Sequence, residues 1–118
     1  MSMVLLVDDE PEMQGLLEMC LEETGAAVVR AASFDEALAA ARDERPRLVL
    51  LDIGLGPEDG LALLPRLRSE PSLTGIPIVV FSVHDSRRQE ALDEGADGFV
   101  AKPFRLSTLR ETVQGYLS

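Results

Sequence analysis

Four apolar runs in this 118-residue chain each end on a side chain that can do chemistry. Leu48-Val49-Leu50-Leu51 runs into Asp52, and Met3-Val4-Leu5-Leu6-Val7 into Asp8-Asp9-Glu10. Ile76 to Phe81 leads to Ser82, and Val100-Ala101 leads to Lys102-Pro103. A short continuous apolar run reads as a strand covered on both faces, the central-strand signature of a parallel sheet. In open α/β sheets the working groups collect just past the carboxyl ends of the strands. One aspartate in that position, taken alone, reads more readily as a solvated residue opening a loop. Acids, a hydroxyl and an amine delivered to the same edge are a much more specific signal.

The chemistry of that edge follows from the residue types. Two carboxylates 4 Å apart repel by roughly 4 kcal/mol at an effective dielectric near 20, so Asp9 and Asp52, with Asp8 behind them, call for a cation. A hard divalent ion suits oxygen ligands, and Mg²⁺ suits one or two carboxylates with retained waters. One His and one Cys cannot supply a zinc site. Lys102 is the only lysine among eleven basic residues, where the chain otherwise uses arginine. Its compact ammonium suits a single anionic oxygen better than a guanidinium would. A carboxylate beside Mg²⁺ and an ammonium can act as nucleophile toward a phosphoryl group, giving an aspartyl phosphate, with Ser82 donating to the new oxygens.

The elements that must position these groups alternate regularly. After the Met3–Val7 strand, Pro11 suits a first helical turn with Asp9 as N-cap, and Met13, Leu16, Leu17, Cys20 and Leu21 form one apolar stripe before Gly25. Cys20 belongs to that stripe and reads as core. A strand over 26–31 precedes a helix opened by a Ser33/Glu36 capping box, carrying Phe34, Ala37, Leu38 and Ala41 and stopped by Pro46. The Leu48–Asp52 strand leads through Gly54, Gly56, Pro57 and Gly60 to a helix with Leu61, Leu63, Leu64 and Leu67, where Pro65 is tolerable only in the first turn. The segment 71–75 reads as linker. A strand over 76–82 is followed by a fourth helix capped by Asp85 or Ser86 with only Ala91 and Leu92 as anchors, hence the least firmly held. A strand over 97–101 and a fifth helix with Leu106, Leu109, Val113, Tyr116 and Leu117 complete the chain. Strand–helix repeated five times with short connections predicts a single α/β domain, one parallel sheet with helices on both faces.

Bulk properties limit the partners. Net charge is −10, which repels phosphates and argues against direct nucleic-acid or anionic-membrane binding. Apolar residues make up 46%, aromatic residues 4%, so the core is aliphatic. A lone cysteine precludes an internal disulfide and fits a reducing, cytoplasmic setting. No apolar run is long enough to span a bilayer, and no secretory leader pattern is present.

Taken together, Asp8-Asp9, Asp52 with Gly60 eight residues on, Ser82, and Lys102-Pro103-Phe104 make the chain resemble a response-regulator receiver domain of two-component signalling over all its length, residues 1–118. That resemblance implies a doubly wound, flavodoxin-like (βα)5 fold with strand order 2-1-3-4-5. It implies Asp52 as phosphoacceptor, Mg²⁺ held by Asp9, Asp52 and the Gly54 carbonyl with Asp8 acting through water, and Lys102 pairing with the phosphoryl group. Ser82 and Phe99 match the switch hydroxyl and switch aromatic, and Lys102–Pro103 is expected to be cis. The implied partners are a histidine kinase or phosphotransfer protein and an output domain or target protein, with homodimerisation through the face of the fourth helix, fifth strand and fifth helix as a further expectation. The implied role is signalling rather than turnover of an external substrate.

Two positions depart from the family pattern. Gly56 stands where a proline is usual four residues after the acceptor, and Val83 follows Ser82 where a small residue is usual; Val83 is expected to crowd the approach to Asp52 and slow phosphoryl exchange. His84 reads as a surface loop residue, with positioning of hydrolytic water as the sharper alternative, and Arg87 and Arg88 read as a solvated or partner-facing surface. Two other functions compete. A degenerate receiver would bind protein without phosphorylation, although every key residue is present. A Mg²⁺-dependent Asp-nucleophile phosphatase would carry a second acid where Gly54 stands, and would need a cap over its substrate. A dinucleotide site is disfavoured because no G-x-G-x-x-G follows the first strand.

Overall fold

In the computed structural model, which describes residues 2–54, 59–83 and 85–117, the four apolar runs and the segment 27–31 become the five strands of one parallel sheet. The strands are β1 (Met3–Val7), β2 (Ala27–Ala31), β3 (Leu48–Asp52), β4 (Ile78–Ser82) and β5 (Gly98–Ala101). Their order is β2-β1-β3-β4-β5, as the resemblance implied. The helices are α1 (Pro11–Glu22), α2 (Phe34–Glu44), α3 (Leu63–Arg68), α4 (Arg88–Asp93) and α5 (Leu106–Leu117).

Alternation along each strand sends successive side chains to opposite faces, and each face is closed by a different set of helices. Val4, Leu6, Leu48, Leu50, Val79 and Phe81 pack with Leu17, Cys20 and Leu21 of α1 and Leu109 and Val113 of α5. Leu5, Val7, Val49, Leu51, Ile78, Val80 and Phe99 pack with α2, α3 and Ala91 of α4. β3 and β4 are buried along their whole length, because they are flanked on both edges and covered on both faces. Each fully buried Leu or Val contributes about 1.5–3 kcal/mol.

Several local expectations are corrected. The N-cap of α1 is Glu10, with no side-chain cap bond, rather than Asp9. Leu16, placed in the α1 stripe, is 46% exposed, and the buried residue at that turn is Gln14. Leu92 does not anchor α4, which leaves Ala91 as the buried residue of that helix. A 3-10 turn over Asp85–Arg87 precedes α4, whose N-cap is Arg87. The expected linker holds a 3-10 turn over Pro71–Leu73, with Leu73 buried. Ser33 does cap α2, accepting from Glu36 N at 3.2 Å, and Glu36 reaches back to Ala32 N at 2.9 Å. Arg45 ends α2 in the left-handed region, φ 46°, just before Pro46.

Candidate functional site

The sheet register assembles the site. β1 pairs β3 with Val7 beside Leu51, so the next residue on each strand brings Asp8 alongside Asp52. β3 pairs β4 with Asp52 beside Phe81, and β4 pairs β5 with Ser82 beside Ala101, so Lys102 comes one step past Ser82. The Lys102 N–H donates to Ser82 O at 2.7 Å, extending the β4–β5 ladder into the lysine. Lys102–Pro103 is cis.

Asp52 is 5% exposed, and both carboxylate oxygens have partners. Lys102 Nζ donates to Oδ2 at 3.0 Å and the Gly54 N–H donates to Oδ1 at 2.9 Å. The same ammonium lies 4.8 Å from the centre of the Phe81 ring, whose face favours a cation. A buried pair of this kind needs good geometry and further hydrogen bonds to offset the loss of hydration, and both are present.

Asp8 is fully buried. The Glu10 N–H donates to its Oδ1 at 2.9 Å, while Oδ2 has no hydrogen-bond partner among the described residues. Burial pushes the Asp8 carboxyl from 3.8 up to about 6, and the charges of Asp52 and Glu10 add to this, against the Glu10 N–H and Lys102. A buried carboxylate oxygen without a donor is costly unless something supplies positive charge. Among the described residues no three His, Cys, Asp or Glu side chains close into a metal cage. An open set of carboxylates beside an orphaned acid oxygen fits Mg²⁺, which takes one or two carboxylates and keeps waters, and does not fit a caged ion. Asp9 is half-buried beside Asp8. The contact that Gly54 makes here is through its N–H.

Gly60 is required by close approach. Its N–H donates to Ile53 O at 2.9 Å, and a Cβ there would fall against Ile53 Cα, 2.8 Å from Asp52 O and 2.9 Å from Ile53 C. Only glycine lets the returning chain lie against the backbone that carries Asp52.

Ser82 is buried at the end of β4. Alternation puts it on the same face as Val80, and Val80 pairs with Phe99 of β5, so hydroxyl and aromatic share the α4 face. Phe99 is 9% exposed. The Arg88 guanidinium lies 4.8 Å from the centre of its ring, and Nη1 donates to Phe99 O at 3.3 Å. Arg88 therefore ties α4 to β5 rather than simply facing solvent. Arg87 pairs with Asp59 at 3.0 Å and with Glu90 at 3.2 Å, bridging the segments that follow β3 and β4 and holding the Asp59 carboxyl below its ordinary value. Val83 is 64% exposed and, with Met13, Leu16, Pro103, Phe104 and Leu106, lines an open apolar groove of about 350 Å³ beside Lys102. Gly56, Pro57 and His84 lie outside the described residues.

Sequence reasoning missed the Arg87–Asp59 bridge and the buried Gln14. No sequence period signals an ion pair between two loops. The signal for Gln14 was available: a polar residue one position before Gly15, on the turn where the apolar stripe should begin.

Comparison with known proteins bears on the family and the fold. Residues 4–114 match the family model described as the response regulator receiver domain. The chain is 34% identical over 112 residues to the KDP operon transcriptional regulatory protein KdpE of Escherichia coli, covering 93% of this chain and 48% of that protein. It is 38% identical over 105 residues to the probable transcriptional regulatory protein TcrX of Mycobacterium tuberculosis, covering 87% of this chain and 44% of that one. It thus spans about half the length of these relatives. Among solved structures, the chemotaxis response regulator CheY4 of Vibrio cholerae superposes with a TM-score of 0.90 at 29% identity over 98% of both chains. The receiver domain of NtrX from Brucella abortus gives 0.88 at 36% identity over 97% of both. Among the described residues no helix is long and apolar enough to cross a membrane.

Proposed function

This chain belongs to the response-regulator receiver domain family of two-component signalling, and on that premise we propose that Asp52 accepts a phosphoryl group from a histidine kinase, a phosphotransfer protein or a small phosphodonor. The observation that carries the proposal is the Asp52 carboxylate, buried at the end of β3, paired at 3.0 Å with the chain's only lysine and flanked by a buried acid with one oxygen unpartnered. Asp9, Asp52 and the Gly54 carbonyl would hold Mg²⁺, with Asp8 acting through water. When bound, the ion neutralises phosphoryl oxygens as the group is transferred.

Asp52 supplies the attacking oxygen and forms the new O–P bond as the bond from phosphorus to the donor breaks. The ion pair holds the carboxylate aimed out of the strand end, and the Gly54 N–H fixes its plane. After transfer, Lys102 exchanges a carboxylate oxygen for a phosphoryl oxygen, and the Ser82 hydroxyl donates to another. Movement of Ser82 opens room on the α4 face, where Phe99 is packed under Arg88. The face formed by α4, β5 and α5 is the readout, directed to an output domain, a target protein or a second copy of the chain. Driving that face from 1:99 to 99:1 requires about 5.5 kcal/mol of differential stabilisation. The role is signalling in the cytoplasm, with Asp52 turning over only its own phosphoryl group.

The test is incubation with MgCl2 and acetyl phosphate followed by intact-mass analysis. Wild type is expected to gain one phosphoryl adduct that Asp52→Asn does not. An unmodified wild type would leave a protein-binding module; sustained hydrolysis of external phosphate esters would favour a phosphatase.

A further inference from the structure

Gln14 is a buried polar residue that the phosphoryl chemistry above does not use. It lies in the first turn of α1, where its own N–H donates to Glu10 O at 2.9 Å and closes the first helical hydrogen bond. Its side-chain amide points back to the sheet edge. Nε2 donates to Asp8 O and, at 3.3 Å, to Ala31 O. Ala31 O also accepts from the Asp8 N–H at 3.0 Å, the last rung between the ends of β1 and β2. Both atoms facing the amide are carbonyl oxygens, so the nitrogen and not Oε1 must face them.

One side chain therefore supplies the donors where the β1–β2 ladder has run out of backbone N–H groups. It does so at the carbonyl of Asp8, in the segment 8–10 that carries the two acids. Asp8 Oδ1 is in turn held by the Glu10 N–H in that same segment. The direction in which Asp8 Oδ2 points, and the position of Asp9, are set by this short piece of backbone. The backbone is pinned at one end by β1 and at its turn by Gln14. An ionised Glu at position 14 would place acceptors against two acceptors, and an aliphatic side chain would leave a buried carbonyl short of a donor.

We propose that Gln14 is a positioning residue for the divalent cation, holding the Asp8–Asp9 backbone so that the two acids are presented to the ion together with Asp52. The proposal rests on the reading of those acids as the Mg²⁺ site. Groups that orient the ligands of a metal typically control its affinity by about 10–100-fold.

The experiment is calorimetric titration of the folded proteins with MgCl2 alone, since the chain has no Trp to report binding. The variants are Gln14→Met, which keeps the length and removes the donor, and Leu17→Val, which trims a buried residue of the same helix. Folding of each is checked by circular dichroism. If Gln14→Met does not fold, Gln14→Asn, which keeps the amide but withdraws it by one methylene, takes its place. The expected result is Mg²⁺ affinity about ten-fold or more weaker in the position-14 variant, with Leu17→Val unchanged. Equal affinity in all three proteins overturns the proposal, and so does equal weakening in both variants, which would trace the effect to α1 stability. A folded wild type that takes up no Mg²⁺ removes the cation site itself, and the proposal with it, an outcome separate from any effect of position 14.

Discussion

Asp8→Asn should stabilise the metal-free protein at neutral pH, and the gain should appear over a defined pH window. The Asp8 carboxyl is raised from 3.8 to about 6 in the folded chain, chiefly because it is buried. Below the lower value the acid is protonated in both the folded and unfolded states and contributes nothing. Between the two values the unfolded chain ionises while the folded chain does not, so stability falls by about 1.36 kcal/mol for each pH unit. Above about 6 the loss levels off, at roughly 3 kcal/mol for the interval of about two units. Asparagine is nearly isosteric and cannot ionise. It keeps an oxygen for the Glu10 N–H and places an NH2 where Oδ2 now stands without a partner. The assay is urea unfolding followed by far-UV circular dichroism in EDTA, from pH 3.5 to 7.5. The advantage of Asp8→Asn over wild type should grow from near its acid baseline to about 3 kcal/mol, a midpoint shift of about 1–3 M urea. Adding MgCl2 should narrow the gap by stabilising wild type. A stability difference that stays constant across this range would refute the reasoning, because it would show that the Asp8 charge is not what the fold is carrying.

Gly60→Ala should destabilise by about 2 kcal/mol or more, since the new methyl meets the Asp52–Ile53 backbone and not a movable side chain; thermal unfolding with and without phosphodonor measures it. Lys102→Met should cost about 3–5 kcal/mol by leaving the buried Asp52 charge uncompensated, and the double variant with Asp52→Asn should recover most of that loss in urea unfolding. Val83→Ala should speed both phosphorylation and dephosphorylation by roughly three- to ten-fold, about 1 kcal/mol of barrier, with no loss of stability; unchanged rates by mass analysis would show that the exposed valine does not crowd the approach.

Strand identity and the chemistry of the strand ends were readable because each depends on neighbours in sequence. A run such as Leu48–Leu51 has no polar face and is too short for a buried helix, so it reads as a strand covered on both sides with Asp52 at its end. The same holds for Asp8 after Val7 and for Lys102 after Ala101. The glycine at position 60 was flagged by its spacing from Asp52, and its reason, backbone against backbone, emerged in three dimensions. Where local reading went wrong, the balance was narrow. Leu16 and Leu92 have the right character for a buried stripe, but each sits at the margin of its helix's apolar arc and faces outward.

The order of residues along the chain thus determined five strands, five helices and which functional groups each strand must deliver, because periodicity and turn chemistry act over a few residues at a time. Tertiary structure alone decided the rest: which acid is wholly dehydrated, that Asp8 carries a buried oxygen with no hydrogen-bond partner among the described residues, that Arg87 joins the segments after β3 and β4, and that Gln14 pins the acidic segment. Those facts depend on how far water is excluded and on which distant carbonyls and charges come within about 3 Å, and such quantities exist only once the sheet has closed its register.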